Sequence, residues 1–252
     1  MTDRGVDRLD GLLSGGANPA YLAFHRPRFR FLIDTLRGCA LRDGCRLLDV
    51  GASPLTSLLS KELNVRVDSL GLEPDREIGG AHHYHFDLND TQYRDRWRMD
   101  LGPYDVILFA EVLEHLYTAP ELVLGYLREL LVPSGLLLLQ TPNAVALRKR
   151  AKIVMGVNPF ERIRLDRDNP GHFREYTVGE LRELLAGAGF SIDEVWMRYY
   201  SDARYARHER GDEPPRSIVG AAKNAAYGLL PERLREGITI AARKCEITAR
   251  RA

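Results

Sequence analysis

Arg46-Leu47-Leu48-Asp49-Val50-Gly51-Ala52-Ser53-Pro54-Leu55 runs from an apolar strand through a glycine turn into the start of a helix. Leu47, Leu48 and Val50 supply the buried side chains of the strand. Gly51 lets the backbone turn where a side chain would collide with a ligand. Ser53 has the oxygen of a helix N-cap, and Pro54 suits the first helical position. About twenty residues later, Ser69-Leu70-Gly71-Leu72-Glu73 reads as a second strand closing on a carboxylate. An acid at that strand tip is placed to accept both hydroxyls of a ribose, so the pair of segments predicts a nucleotide site of Rossmann type.

The turn also narrows the nucleotide. A dinucleotide fingerprint needs three glycines, for the turn, for close approach to a pyrophosphate, and for helix packing. Counted from Gly51, the second and third positions hold Ser53 and Thr56, which argues against NAD and FAD. No Gly-Lys-Ser/Thr follows, so a P-loop is excluded. A nucleoside without phosphates, such as S-adenosylmethionine, needs less exposed backbone.

Further strands follow in order. Tyr84–Leu88 reads as a third strand with Asp87 near its end, and Tyr104–Glu111 as a fourth, leading into Val112-Leu113-Glu114-His115-Leu116. Pro133-Ser134-Gly135 turns into a fifth, Leu136–Gln140. Thr177-Val178-Gly179-Glu180 is a capping box that opens a helix, with a sixth strand at Ser191–Met197 and a seventh at Gly237–Lys244. Across residues 40 to 197 this ordered set, with Glu-Val-Leu-Glu-His after strand four, resembles the class I S-adenosylmethionine-dependent methyltransferases. The resembling group includes ubiquinone O-methyltransferases and many natural-product and sugar methyltransferases. The resemblance implies an α/β fold: a Rossmann-like seven-stranded, mostly parallel sheet, helices on both faces, and an antiparallel last strand at the sheet edge. It divides the chain into an N-terminal helical cap at 1–40 and a methyltransferase domain at 41–252, with insertions at about 144–176 and 198–236.

In such a sheet the ligand lies beyond the carboxyl ends of the strands. That rim would carry Asp49, Gly51, Ala52, Ser53, Glu73, Asp87, Leu88, Ala110 and Glu111. Glu73 would accept from the ribose and Asp87 from the adenine amino group, with Leu88 beside the ring. Gly51 would let the amino-acid portion lie against the backbone, and Asp49 would orient the turn or meet the ligand amine. Methyl transfer from a sulfonium mainly requires alignment and exclusion of water, but an aliphatic hydroxyl also needs a base or a metal. His172, in Gly171-His172-Phe173-Arg174-Glu175, is the candidate base, with Arg174 or Glu175 orienting it; His115 and Glu111 are further catalytic candidates. Glu111, Glu114 and His115, at helical spacings of three and four, would share one face, and with His172 they would make a divalent metal set resembling that of RNA 3′-terminal 2′-O-methyltransferases.

The expected activity is O-methylation of a small molecule, sugar or lipid-linked intermediate, with S-adenosylmethionine as donor. The alternatives are a metal-dependent RNA 2′-O-methyltransferase and a non-catalytic cofactor-binding or scaffold protein. The chain has 252 residues, 44% of them hydrophobic and 28% charged, with a net charge of +1. That balance gives no global field for nucleic acid, so the expected partner is a small-molecule or glycan acceptor. Cys39, Cys45 and Cys245 lack metal spacing and read as reduced thiols of a cytoplasmic protein. At the N-terminus, Ser14-Gly15-Gly16 is a breaker, and Asn18-Pro19 opens a helical stretch that Pro27 interrupts, which allows either one helix or two short ones. Residues 214–234 read as an apolar, cation-flanked helix: a substrate lid, a dimer contact or a membrane-surface helix, with a lid preferred.

Overall fold

Leu47 and Leu48 face opposite ways along one strand, and each meets its own hydrophobic cluster. This period-two split sets a sheet with a core on both faces. A computed structural model of the chain describes residues 19–39, 41–78, 80–166, 169–203 and 218–246. Its elements, in order, are α1 (Pro19–Gly38), β1 (Arg46–Val50), α2 (Pro54–Glu62), β2 (Arg66–Gly71), β3 (Arg76–Ile78), β4 (Ala81–His85), β5 (Tyr104–Ala110), α3 (Pro120–Leu130), β6 (Leu131–Pro142), α4 (Leu147–Val154), α5 (Val178–Gly187), β7 (Phe190–Arg198), α6 (Ile218–Gly228) and β8 (Gly237–Lys244). The sheet order is β3-β4-β2-β1-β5-β6-β8-β7. β4, β2, β1, β5 and β6 are parallel, while β3 and β8 run antiparallel to their neighbours.

One face buries Leu22, Phe29, Leu32 and Leu36 of α1 with Leu55, Leu58 and Leu59 of α2, against Leu47, Val106, Leu108 and Leu138. The other buries Val123, Leu124, Leu127 and Leu130 of α3 with Leu181 and Leu185 of α5, against Leu48, Ile107, Phe109 and Leu139. The predicted α/β class and two helix layers therefore stand. Both predicted caps are present. Ser53 caps α2 with Thr56 completing the box, and Thr177 does the same for α5 with Glu180.

Several expectations change. The sheet has eight strands rather than seven, because the short β3 folds back onto β4. The last strand is not at the edge: β8 lies between β6 and β7, and β7 is the edge. The third predicted strand stops at His85, since Asp87 accepts the Asn89 backbone N–H and caps the turn Leu88–Gln92. Pro27 does not split the N-terminal helix; it lies inside the continuous α1, whose apolar stripe is buried along its length. One turn earlier, the Phe24 carbonyl accepts from the Asp202 N–H. Glu111 does not share a helix with Glu114 and His115, because it turns with φ of 58° at the end of β5 and only Leu113–His115 coil, as a single turn. The Ser14-Gly15-Gly16 breaker and the first part of the 214–234 helix lie outside the described residues. Among the described residues no helix is long and apolar enough to cross a membrane.

Candidate functional site

Where β1 and β5 end side by side, their exits diverge around a cavity of about 310 Å³ lined by Asp49, Gly51, Ala52, Ser53, Ala110, Glu111 and His115, with Tyr21, His25 and Arg28 of α1 across it. Gly51 has φ of 87°, and a Cβ there would stand 2.6 Å from Val112 Cγ2, so only glycine fits between turn and neighbour. Asp49 is buried beneath the turn and accepts from Thr56 Oγ1 at 2.6 Å. Burial pushes its carboxyl up to about 7, against the opposing hydrogen bond from Thr56 and the positive charge of Arg28. Glu111 lies 3.4 Å from Arg28, and burial raises its carboxyl while Arg28 opposes the rise. Arg28 Nε and His25 Nδ1 are buried without hydrogen-bond partners. Burial, with Arg28 beside it, lowers His25 to about 3, so its ring is neutral.

A second cavity, of about 320 Å³, shares His25, Arg28 and Glu111 with the first. Its other walls come from the exit of β6, from α4, from the 171–175 loop, and from Tyr199 and Tyr200 after β7. His172 faces it, with Nδ1 3.2 Å from Glu175 Oε1. Glu175 also pairs with Lys149, whose Nζ donates to the Asn143 carbonyl at 3.0 Å. Burial lowers the Lys149 ammonium to about 8. Burial, then the neighbouring His115, lowers His172 to about 4, so its imidazole is neutral at pH 7. The tautomer that satisfies Glu175 carries its proton on Nδ1 and leaves Nε2 as an acceptor. The loop is tied to the β5 exit at several points: the Glu114 carbonyl accepts from Phe173 N–H at 2.8 Å, His115 Nδ1 meets the Gly171 carbonyl at 3.0 Å, and the His115 and His172 rings cross edge to face at 4.7 Å.

Residues 24–195, more than half of the chain, match the family model described as a methyltransferase domain. This chain belongs to that family. It is an S-adenosylmethionine-dependent methyltransferase. Solved structures with the same fold include an S-adenosylmethionine-dependent methyltransferase of Archaeoglobus fulgidus (17% identity, 86% of this chain and 94% of that one, TM-score 0.52). A TehB-like S-adenosylmethionine-dependent methyltransferase of Corynebacterium glutamicum is also similar (14%, 96% of both chains, 0.51). So is the 1,6-didemethyltoxoflavin-N1-methyltransferase of Burkholderia thailandensis, with bound 1,6-didemethyltoxoflavin and S-adenosylhomocysteine (17%, 96% and 87%, 0.51). No curated protein matches the sequence.

The methyltransferase brings six of the expected cofactor residues to one cavity: Asp49, Gly51, Ala52, Ser53, Ala110 and Glu111. Glu73, Asp87 and Leu88 do not line it. Glu73 follows β2 on an exposed turn, 3.7 Å from Arg76; Asp87 caps its own turn; Leu88 packs into the core. The cavity fits the amino-acid end of S-adenosylmethionine, because a buried carboxylate and an unpartnered buried guanidinium nitrogen complement an ammonium and a carboxylate. The four-residue metal set does not form as expected. Glu114, His115 and His172 offer ligand atoms within 4.8 Å of one another, while Glu111 pairs with Arg28 instead. Glu114 takes the Thr141 hydroxyl on Oε2 at 2.9 Å and leaves Oε1 buried and unpartnered.

Arg28, His25 and Lys149 were not singled out from sequence as site residues. His25 and Arg28 sit three apart on α1, a spacing that could have flagged them as one polar face. Lys149 is one cation in a basic run, and nothing local marks it as the buried one.

Proposed function

We propose that this methyltransferase methylates a hydroxyl group of a small-molecule, sugar or lipid-linked acceptor, with His172 as the general base. The observation that supports this reading is the His172–Glu175 pair in a cavity joined to the cofactor cavity through His25, Arg28 and Glu111. A neutral imidazole held by a carboxylate is what an alcohol needs and an amine does not. S-adenosylmethionine supplies an activated methyl group and a neutral thioether leaving group. In this reading Asp49 holds its ammonium and Arg28 its carboxylate inside the first cavity, and the nucleoside extends beyond that cavity, where Glu73 would accept from the ribose and Asp87 from the adenine amino group, with Leu88 beside the ring. Glu175 fixes the His172 ring, Lys149 neutralises Glu175, and His172 Nε2 takes the proton from the acceptor hydroxyl. Incubation with isotopically labelled S-adenosylmethionine and fractionated cell extract, followed by mass spectrometry, should yield a methyl ether. A product methylated on nitrogen or carbon overturns the assignment.

A second reading keeps the hydroxyl acceptor and adds a divalent ion at Glu114, His115 and His172. It is favoured by their proximity and by the unpartnered Glu114 Oε1. Chelator-stripped protein whose activity and melting temperature ignore Mg²⁺, Mn²⁺ and Zn²⁺ removes it.

A further inference from the structure

We propose that the segment from Ile153 to Leu165 is an interfacial anchor that docks on an anionic lipid surface. The segment leaves α4 and carries Ile153, Val154, Met155, Val157, Phe160, Ile163 and Leu165, and every one of these side chains is exposed, Val154 by 87% and Met155 by 69%. Soluble proteins rarely leave so many large apolar groups together in water.

The segment is built rather than frayed. Gly156, with φ of 72°, turns the chain back, and the Val157 N–H donates to the Lys152 carbonyl at 2.8 Å. Asn158 Oδ1 accepts from the Phe160 N–H, and Arg164 donates to Glu161, Asn169 and the Pro170 carbonyl. These bonds pin the segment at several points while its apolar side chains stay exposed.

Charge selects the occupant. Across α4 and the segment, Arg148, Lys149 and Arg164 are matched by Glu236, Glu175 and Glu161. Arg150, Lys152 and Arg162 have no carboxylate partner among the described residues. Exposed apolar groups interleaved with uncompensated cations complement an anionic bilayer surface, where the acyl boundary takes the first and the headgroups the second. A second copy of this chain would present the same cations to one another. Docking would bring Lys152, Pro159 and Glu161, which line the second cavity, to the lipid interface. The proposal stands independently of the methyl-transfer reading.

Co-sedimentation of the full chain with phosphatidylcholine vesicles, with and without phosphatidylglycerol, tests it. The protein should pellet with the anionic vesicles at least ~ten-fold more than with the neutral ones, and less as salt rises. The double substitution Val154→Asp, Leu165→Asp should cut the pelleted fraction by about ten-fold at an unchanged melting temperature, since the side chains at these positions are exposed. Wild type that stays in the supernatant with both vesicles, or a double variant that pellets like wild type, overturns the proposal. So does a wild-type dimer in sedimentation velocity that the same substitutions dissociate, which would give the surface to a second copy. Calorimetry with S-adenosylmethionine, run separately, reports whether the methyl-donor site is intact.

Discussion

The two cavities meet at Arg28 and Glu111 yet are built on different plans. The first is made by the ends of two adjacent strands, β1 and β5, whose backbones are fixed by sheet pairing on both sides. The second is gathered from α1, the β6 exit, α4, the 171–175 loop and the ends of β7 and β8, held by contacts between distant residues such as Arg148 with Glu236. The first plan fixes a ligand through backbone shape. The second would fix one through side chains that can change without disturbing the sheet, a plan by which one fold can serve many ligands.

The largest effect that would break this contrast lies in the first cavity. Gly51→Val should abolish detectable S-adenosylmethionine binding by calorimetry, because the side chain meets Val112 and the residue must hold φ of 87°. The backbone strain alone should cost about 1–3 kcal/mol of stability in chemical denaturation. If backbone shape is not what holds the donor, this variant will still bind it. In the second cavity, His172→Ala should lower kcat by about 10²–10⁴-fold while leaving donor affinity unchanged. Loss of donor binding instead would mean that the two cavities are not separable. Arg28→Met tests the seam, where one residue serves both. It should weaken donor binding by about ten-fold or more, since it leaves Glu111 without its partner as well as removing a donor.

A pH effect sharpens the same comparison. The Asp49 carboxyl, raised from 3.8 to about 7, is protonated at pH 6 and ionised at pH 8. If its anion holds the donor ammonium, affinity rises with pH up to about 7 and levels above it, and binding below that pH releases a proton. Calorimetry in two buffers of different ionisation enthalpy measures the release. The stability linkage has the opposite sign. A carboxyl whose folded value lies above its unfolded one favours the folded state when protonated, so its contribution falls as pH rises from 3.8 towards 7. The smallest effect should come from Thr56→Val, which removes the hydroxyl bonded to Asp49 and to the Ser53 N–H. About 1–2 kcal/mol of stability should be lost, and the pH midpoint of binding should move upward.

The contrast also explains what the amino-acid sequence reveals. The strand-turn-helix at 46–55 is local: apolar alternation, a glycine and a cap all act within ten neighbouring residues, so both element and turn are readable. β8 is readable as a strand, but its place between β6 and β7 is a pairing decision with one segment about one hundred residues away and another about forty to fifty residues away. Glu111, Glu114 and His115 have helical spacing, but the positive φ at Glu111 breaks the register, and no side-chain pattern announces that turn. Lys149 and Glu175 are ordinary charged residues in sequence. Only the loop's return past Glu114 makes them a buried pair behind His172.

The position of β8 bears on how the molecule is made. A ribosome delivers β6 and β7 well before Gly237–Lys244, so the nascent sheet has a gap where its penultimate strand belongs. Until that strand slides in, β7 has nothing to pair with, and Gly237 and Glu236 cannot close the second cavity. In the proposed reading, emerging chains would thus carry the donor cavity ahead of a finished acceptor cavity, and loss of β8 by premature termination or proteolysis would sever β7 from the sheet.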